Sequence, residues 1–202
     1  MKIQVLYVLS AVIPVATSMV SAVQSDLKET DSKTTQAVAV IMPTKEFSVS
    51  GMVQLKQSKG MVHLTGKIEG LSPGKHGFHI HEFGDISAVD GSSAGGHYAP
   101  EGHQHGKPGK KEHHAGDLGN ITADQNGIAV IDKRSEDFKI SDVIGRSIVV
   151  HAGADDLTSQ PSGDAGPRAG LGVIGIAKSE PKAKADLPAR TRGSNRQKTR
   201  AF

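Results

Sequence analysis

Histidine spacing sets the first constraint. Most of the 10 histidines lie between His76 and His114. In Gly77-Phe78-His79-Ile80-His81-Glu82-Phe83, apolar residues alternate with His79, His81 and Glu82. Successive side chains of a strand point to opposite faces. His79 and His81 therefore share one face at a fixed separation, which is half of a chelate, and Phe78, Ile80 and Glu82 take the other. Further donors follow: His97, His103, His105, His113, His114 and Asp117, then His151 at the end of an apolar run. Imidazole suits zinc and copper, zinc accepts a carboxylate among four ligands, and copper(II) favours more tetragonal nitrogen sites. The donors suffice for two metals: a rigid set from the histidine strand and His151, and a loop-closing set from the loop histidines and Asp117.

The elements that must hold these donors read as strands. Ala37 to Met42, Val49 to Gln57, Met61 to Leu71, the histidine strand, Leu118 to Thr122, Gly127 to Ile131, Ser147 to His151 and Leu171 to Ala177 are short, with no helical period. Such a series predicts an all-β antiparallel sandwich or barrel. Two Gly/Ser/Pro-rich stretches interrupt it, Gly84 to His113 and Ala152 to Ala169. A loop as long as the first is ordinarily functional or disordered. Ordering it costs about 1–2 kcal/mol per residue in backbone entropy, so something must anchor it.

The 202-residue chain has room for one domain with flanking segments. Residues 1–22 read as a signal peptide, with Lys2, an apolar run from Ile3 to Ala16 and small residues at Val20-Ser21-Ala22. That run is too short and broken for a comfortable membrane span, so no transmembrane segment is expected in the mature chain. Export follows, to the periplasm or the exterior. Residues 23–36 are polar and read as a linker. Residues 179–202 carry seven Lys/Arg against Glu180 and Asp186, while the whole chain is +3. This basic tail reads as a solvated, disordered segment, with attraction to a polyanion or an anionic surface as the alternative and no specific nucleic acid expected. The absence of cysteine excludes disulfides and a cysteine-linked lipid anchor.

Five ordered motifs together resemble the Cu,Zn superoxide dismutase family: Gly77 to Asp85, Ser93 to Tyr98, His114 to Asn120, Ile148 to His151, and Gly163 to Arg168 continuing through Gly172 to Gly175. The resemblance spans residues 37–178. It implies an eight-stranded antiparallel Greek-key barrel, an immunoglobulin-like sandwich in outline, with two long functional loops. It implies copper bound by His79, His81, His97 and His151, and zinc bound by His97, His105, His114 and Asp117, with His97 shared. Asp155 matches an outer carboxylate linking the two ligand sets, His76 a buried structural histidine, and Arg168 the arginine that guides the anionic substrate. His97 would also carry a proton. The implied reaction is dismutation of superoxide to oxygen and hydrogen peroxide. A non-catalytic copper carrier on the same fold is the alternative, and a homodimer is a further expectation. The family's usual disulfide has no counterpart, since Gly91 and Leu171 occupy its positions. The first loop is therefore expected to rely on zinc and packing alone.

Overall fold

The structure is a computed structural model that describes residues 34–178. The signal-peptide reading, nearly all of the linker and the basic tail lie outside the described residues. Eight antiparallel strands form a closed barrel: β1 (Gln36–Pro43), β2 (Ser50–Ser58), β3 (Met61–Glu69), β4 (Gly74–His81), β5 (Asp117–Ala123), β6 (Ala129–Ser135), β7 (Ser147–His151) and β8 (Arg168–Ile176). Their order around the barrel is β1-β2-β3-β6-β5-β4-β7-β8. The crossings from β3 to β4 and from β6 to β7 make it a Greek key. Closure leaves no free sheet edge. One helical turn, α1 (Ile140–Val143), precedes β7.

The barrel interior follows the alternation of apolar residues. Phe78 and Ile80 of β4 point inward with Ile41, Val53, Leu64, Ile121, Ile131, Ile148 and Ile174. The sequence leaves open how deeply the opposite face of β4 is buried. His79 and His81 are as buried as Phe78 and Ile80, because the first loop folds over them. Two further boundaries shift. Gln36, read as linker, already pairs with Lys56, and Arg168, read as loop, opens β8 opposite His151.

The long loop has anchors besides its histidines. Val149 and Leu171 are register partners on β7 and β8, and their outward side chains bury Ala94 of the loop. A Cβ built on Gly91 would lie 3.4 Å from Leu171 Cδ2, so the two positions that lack cysteines do face each other. Gly91 has a φ of 75°, a left-handed backbone that glycine adopts without strain. Burying Leu171 contributes about 1.5–3 kcal/mol, the same order as the 2–4 kcal/mol typical of a crosslink. The Arg168 guanidinium adds hydrogen bonds to Gly91 O and Gly95 O. The loop is thus tied to β8 by packing, as expected, and in addition by an arginine.

Candidate metal centre

Irregularities in the barrel aim the donors. The β4–β5 register shifts between Gly77 and His79, and the β7–β8 register shifts at Val150 and His151. Such bulges re-aim side chains. They present His79, His151 and Arg168 at the same end of the barrel. His97 comes from the loop, but an antiparallel bridge pairs it with His81. Tyr98 N–H donates to Ile80 O and Glu82 N–H to Gly96 O, both at 2.9 Å, so the loop runs as a short extra strand beside β4.

Four imidazoles then converge. One ring nitrogen from each of His79, His81, His97 and His151 lies within 4.8 Å of the others. Each ring is fixed through its second nitrogen. His81 Nδ1 donates to Gly95 O at 2.9 Å and His151 Nδ1 to Gly166 O at 3.0 Å. His79 Nε2 meets Asp155 Oδ2 at 2.9 Å, and His97 Nδ1 meets Asp117 Oδ1 at 2.7 Å. A carbonyl only accepts, so the nitrogen facing it carries the hydrogen and the other presents a lone pair. Those others, His79 Nδ1, His81 Nε2, His97 Nε2 and His151 Nε2, are buried without any partner. Each unsatisfied atom costs about 1–3 kcal/mol. Burial pushes His79 down to about 3, despite its bond to Asp155, and His151 down to about 4; burial also holds His81 well below 6.5. These rings are neutral at neutral pH and ready to bind a metal. The set fits copper or zinc.

The second cluster is built on a carboxylate. His97 Nδ1, His105 Nδ1 and His114 Nδ1 approach Asp117 Oδ1 at 2.7, 3.0 and 3.2 Å. Asp117 Oδ2 accepts Gly106 N–H at 3.0 Å and His114 N–H at 2.8 Å. Burial opposes charge on Asp117, but these donors outweigh it and hold its carboxyl far below the usual range. Three imidazoles and one carboxylate match the ligand number and chemistry of zinc. His97 belongs to both clusters.

Asp155 joins the two. Its Oδ2 meets His79 and its Oδ1 meets His105 Nε2, each at 2.9 Å. Burial disfavours charge on His105, yet its bonds to Asp117 and Asp155 push it up to about 9. Gly163 sits against this contact: a Cβ there would overlap Asp155 Oδ1 and press on His105 Nε2. His76 lies beneath β7, with Nδ1 bonded to His151 O at 2.9 Å and Nε2 facing Ser72 O at 2.8 Å. Arg168 shares Gly95 O with His81 Nδ1, which places its guanidinium beside the first cluster. His103 and His113 join neither cluster, and His63 pairs with Asp132 at 2.6 Å on the barrel surface.

Two positioning residues have no role assigned from the sequence: Asn120 ends one of the motifs, and Gln160 lies outside all five. Asn120 clamps Asp155 twice at 2.8 Å, Nδ2 donating to Asp155 O and Oδ1 accepting Asp155 N–H. Gln160 does the same for His105: its Oε1 accepts His105 N–H at 2.9 Å and its Nε2 donates to His105 O at 2.8 Å. Gln160 thus couples the second loop to the zinc-type cluster without using a metal. Gln160→Ala is expected to release zinc to a chelator about 10–100-fold faster, the range for loss of an outer-shell partner, while copper content holds. Unchanged zinc release would show that the clamp does not position His105.

The cluster also fixes a pH profile for metal-free protein. His79 and His151 stay neutral when folded but bind protons near pH 6.5 when unfolded. Their contribution is lost as pH falls from about 6.5 toward 4, at about 1.4 kcal/mol per unit for each group. His105 has the opposite sign: its stabilisation is full below about pH 6.5 and is lost as pH rises toward 9. Urea unfolding of metal-free protein is therefore expected to show a maximum near pH 6.5. A flat profile from pH 5 to about 8.5 contradicts this.

Comparison with known proteins agrees with the site. The family model for copper/zinc superoxide dismutase (SODC) matches residues 49–174. Superoxide dismutase [Cu-Zn] 3 of Arabidopsis thaliana is 45% identical over 152 residues, covering 70% of this chain and 92% of that protein. An extracellular superoxide dismutase [Cu-Zn] of Onchocerca volvulus is 43% identical over 157 residues, covering 70% and 76%. Among solved structures, the clock protein EA4 superposes with a TM-score of 0.66 at 38% identity, covering 72% of this chain and 97% of that one. The chain belongs to the copper/zinc superoxide dismutase family.

Proposed function

We propose that this chain dismutes superoxide, with copper held by His79, His81, His97 and His151 and zinc by His97, His105, His114 and Asp117. The observation that carries this reading is the set of four buried, unpartnered imidazole nitrogens beside a fixed arginine. Copper supplies the one-electron exchange when bound, and zinc fixes the second ligand set.

The chain's own residues do the rest. Arg168 draws the superoxide anion to the mouth of the cluster, since a fixed cation raises local anion concentration and on-rate. Its bonds to Gly91 O and Gly95 O keep it from swinging away. Two superoxide anions and two protons yield one oxygen and one hydrogen peroxide. His97 Nε2 holds one proton for the peroxide, and solvent gives the other. His97 Nδ1 stays on the Asp117 side, so the ring keeps its place while Nε2 gains and loses its proton. Asp155 orients His79 and His105 together. The complete donor set and Arg168 favour the enzyme over the carrier.

Arg168→Ala is expected to slow dismutation about 10–100-fold at low salt and to flatten its dependence on ionic strength, as loss of steering does. Arg168→Lys should recover part of the rate. Stopped-flow rates unchanged in Arg168→Ala would reject the guiding role.

Other expectations belong to the same reading. Val40, Met42, Met52, Val173 and Ile176 expose apolar side chains on β1, β2 and β8, which adjoin in the barrel. This patch favours a homodimer; a monomer by light scattering at micromolar concentration removes it. Export is supported by relatives named extracellular superoxide dismutase in Onchocerca volvulus and Brugia pahangi. Among the described residues no helix is long and apolar enough to cross a membrane. Release of the full chain outside the cell, rather than into a periplasm, would decide the compartment. Binding of the basic tail to a polyanion is tested by heparin retention with and without residues 180–202.

A further inference from the structure

His103 and His113, absent from both metal clusters, share a cavity of about 390 Å³ with Glu101, Glu136 and Asp137. His113 is the informative one. Its side chain is 10% exposed, and its Nδ1 lies 2.7 Å from Lys110 O. A carbonyl only accepts, so Nδ1 carries a hydrogen, and Nε2 is the nitrogen left to ligate. That Nε2 is buried and has no hydrogen-bond partner. It lies 3.3 Å from Asp137 Oδ2. The carboxylate is itself held in place, with Oδ2 accepting Ser135 Oγ–H at 2.9 Å. Two potential donor atoms thus lie side by side without hydrogen-bond geometry between them, and each side chain is held by a further hydrogen bond. That is the arrangement of a metal ligand pair with its supporting shell.

A second pair lies on the same loop. His103 Nε2 is 3.6 Å from Glu101 Oε2, and both side chains line the same cavity with much of their surface exposed. They have the freedom to turn inward that His113 lacks. Lys110 and Lys111 also line the cavity and offset two of its three carboxylates. The near-balance of charge disfavours calcium or magnesium, which need several carboxylate oxygens. It leaves imidazole nitrogen as the main attraction, which suits zinc.

We infer that His113 and Asp137 anchor an auxiliary zinc site, separate from the inner pair of metals, with His103 as the third protein ligand and water completing the shell. The cavity also reaches His114, so this site lies directly outside the inner zinc-type cluster.

The test is equilibrium dialysis of untagged, full-length protein already loaded with copper and zinc, against micromolar zinc, with both metals counted. The expected result is one zinc per chain beyond the inner pair. It disappears in His113→Gln and in Asp137→Asn while the inner copper and zinc remain. His63→Gln, which alters a His–Asp pair on the barrel surface, should leave it in place. If His113→Gln does not fold, His103→Gln gives the answer: the extra zinc should bind at least about tenfold more weakly, the loss caused by removing even an outer-shell partner. No extra zinc in the wild type overturns the inference. So does extra zinc that persists unchanged in the folded variants.

Discussion

Asp117→Asn is expected to lose zinc and to destabilise even the metal-free protein by about 3–5 kcal/mol, the cost of breaking a buried charge network. The substitution keeps size and shape, so its effect isolates the second oxygen. In the native carboxylate, Oδ1 faces three imidazole nitrogens and Oδ2 accepts two backbone N–H groups, from Gly106 and His114. An amide must present an NH2 group to one of these sets. Facing the backbone, it opposes two donors. Facing the rings, it blocks the atom on which they converge. Neither orientation satisfies both sides, and an unsatisfied buried donor costs about 1–3 kcal/mol. Thermal unfolding of the metal-free variant reads the network alone, and zinc content reads the ligand. A melting temperature equal to that of the wild type would contradict the reading.

His97→Ala is expected to lower dismutation by about 10²–10⁴-fold, the range for loss of a positioned proton donor. It removes the one ring that lies in both donor clusters. It also leaves Asp117 Oδ1 without its shortest partner, at 2.7 Å. The barrel itself should persist, because His97 comes from the loop and the inward-facing core is made by the strands. A loss of both activity and metal coupling with retained β-sheet circular dichroism is the expected pattern. Near-normal activity would mean that the proton reaches the peroxide by another route.

The sequence carried the fold and the donor sets because both rest on short-range pattern. Alternation along β4 marks Phe78 and Ile80 as core and puts His79 and His81 together on the other face. Ordered motifs then supply the other donors. What it did not carry depends on contacts between distant segments. The full burial of His79 and His81 follows from a loop that folds back as an extra strand through Tyr98 and Gly96. The apolar contact of Ala94 with Val149 and Leu171 joins three segments, and no periodicity shows it. Asn120 ends a motif and Gln160 lies outside all of them, and neither residue type points to a role. Only the paired hydrogen bonds to Asp155 and His105 reveal what they do. Arg168 was legible as a residue, but its place as the first residue of β8 depends on a bulge opposite His151.

The most direct test measures metal content and superoxide dismutation on one preparation of the full chain, first stripped and then reloaded with copper and zinc. The predicted result is one copper and one zinc per chain in the inner sites, with rapid dismutation that is absent in the stripped protein and returns on reloading. Full occupancy of both metals without dismutation would contradict the proposed function, and copper retained unchanged in a variant lacking both His79 and His151 would contradict the site.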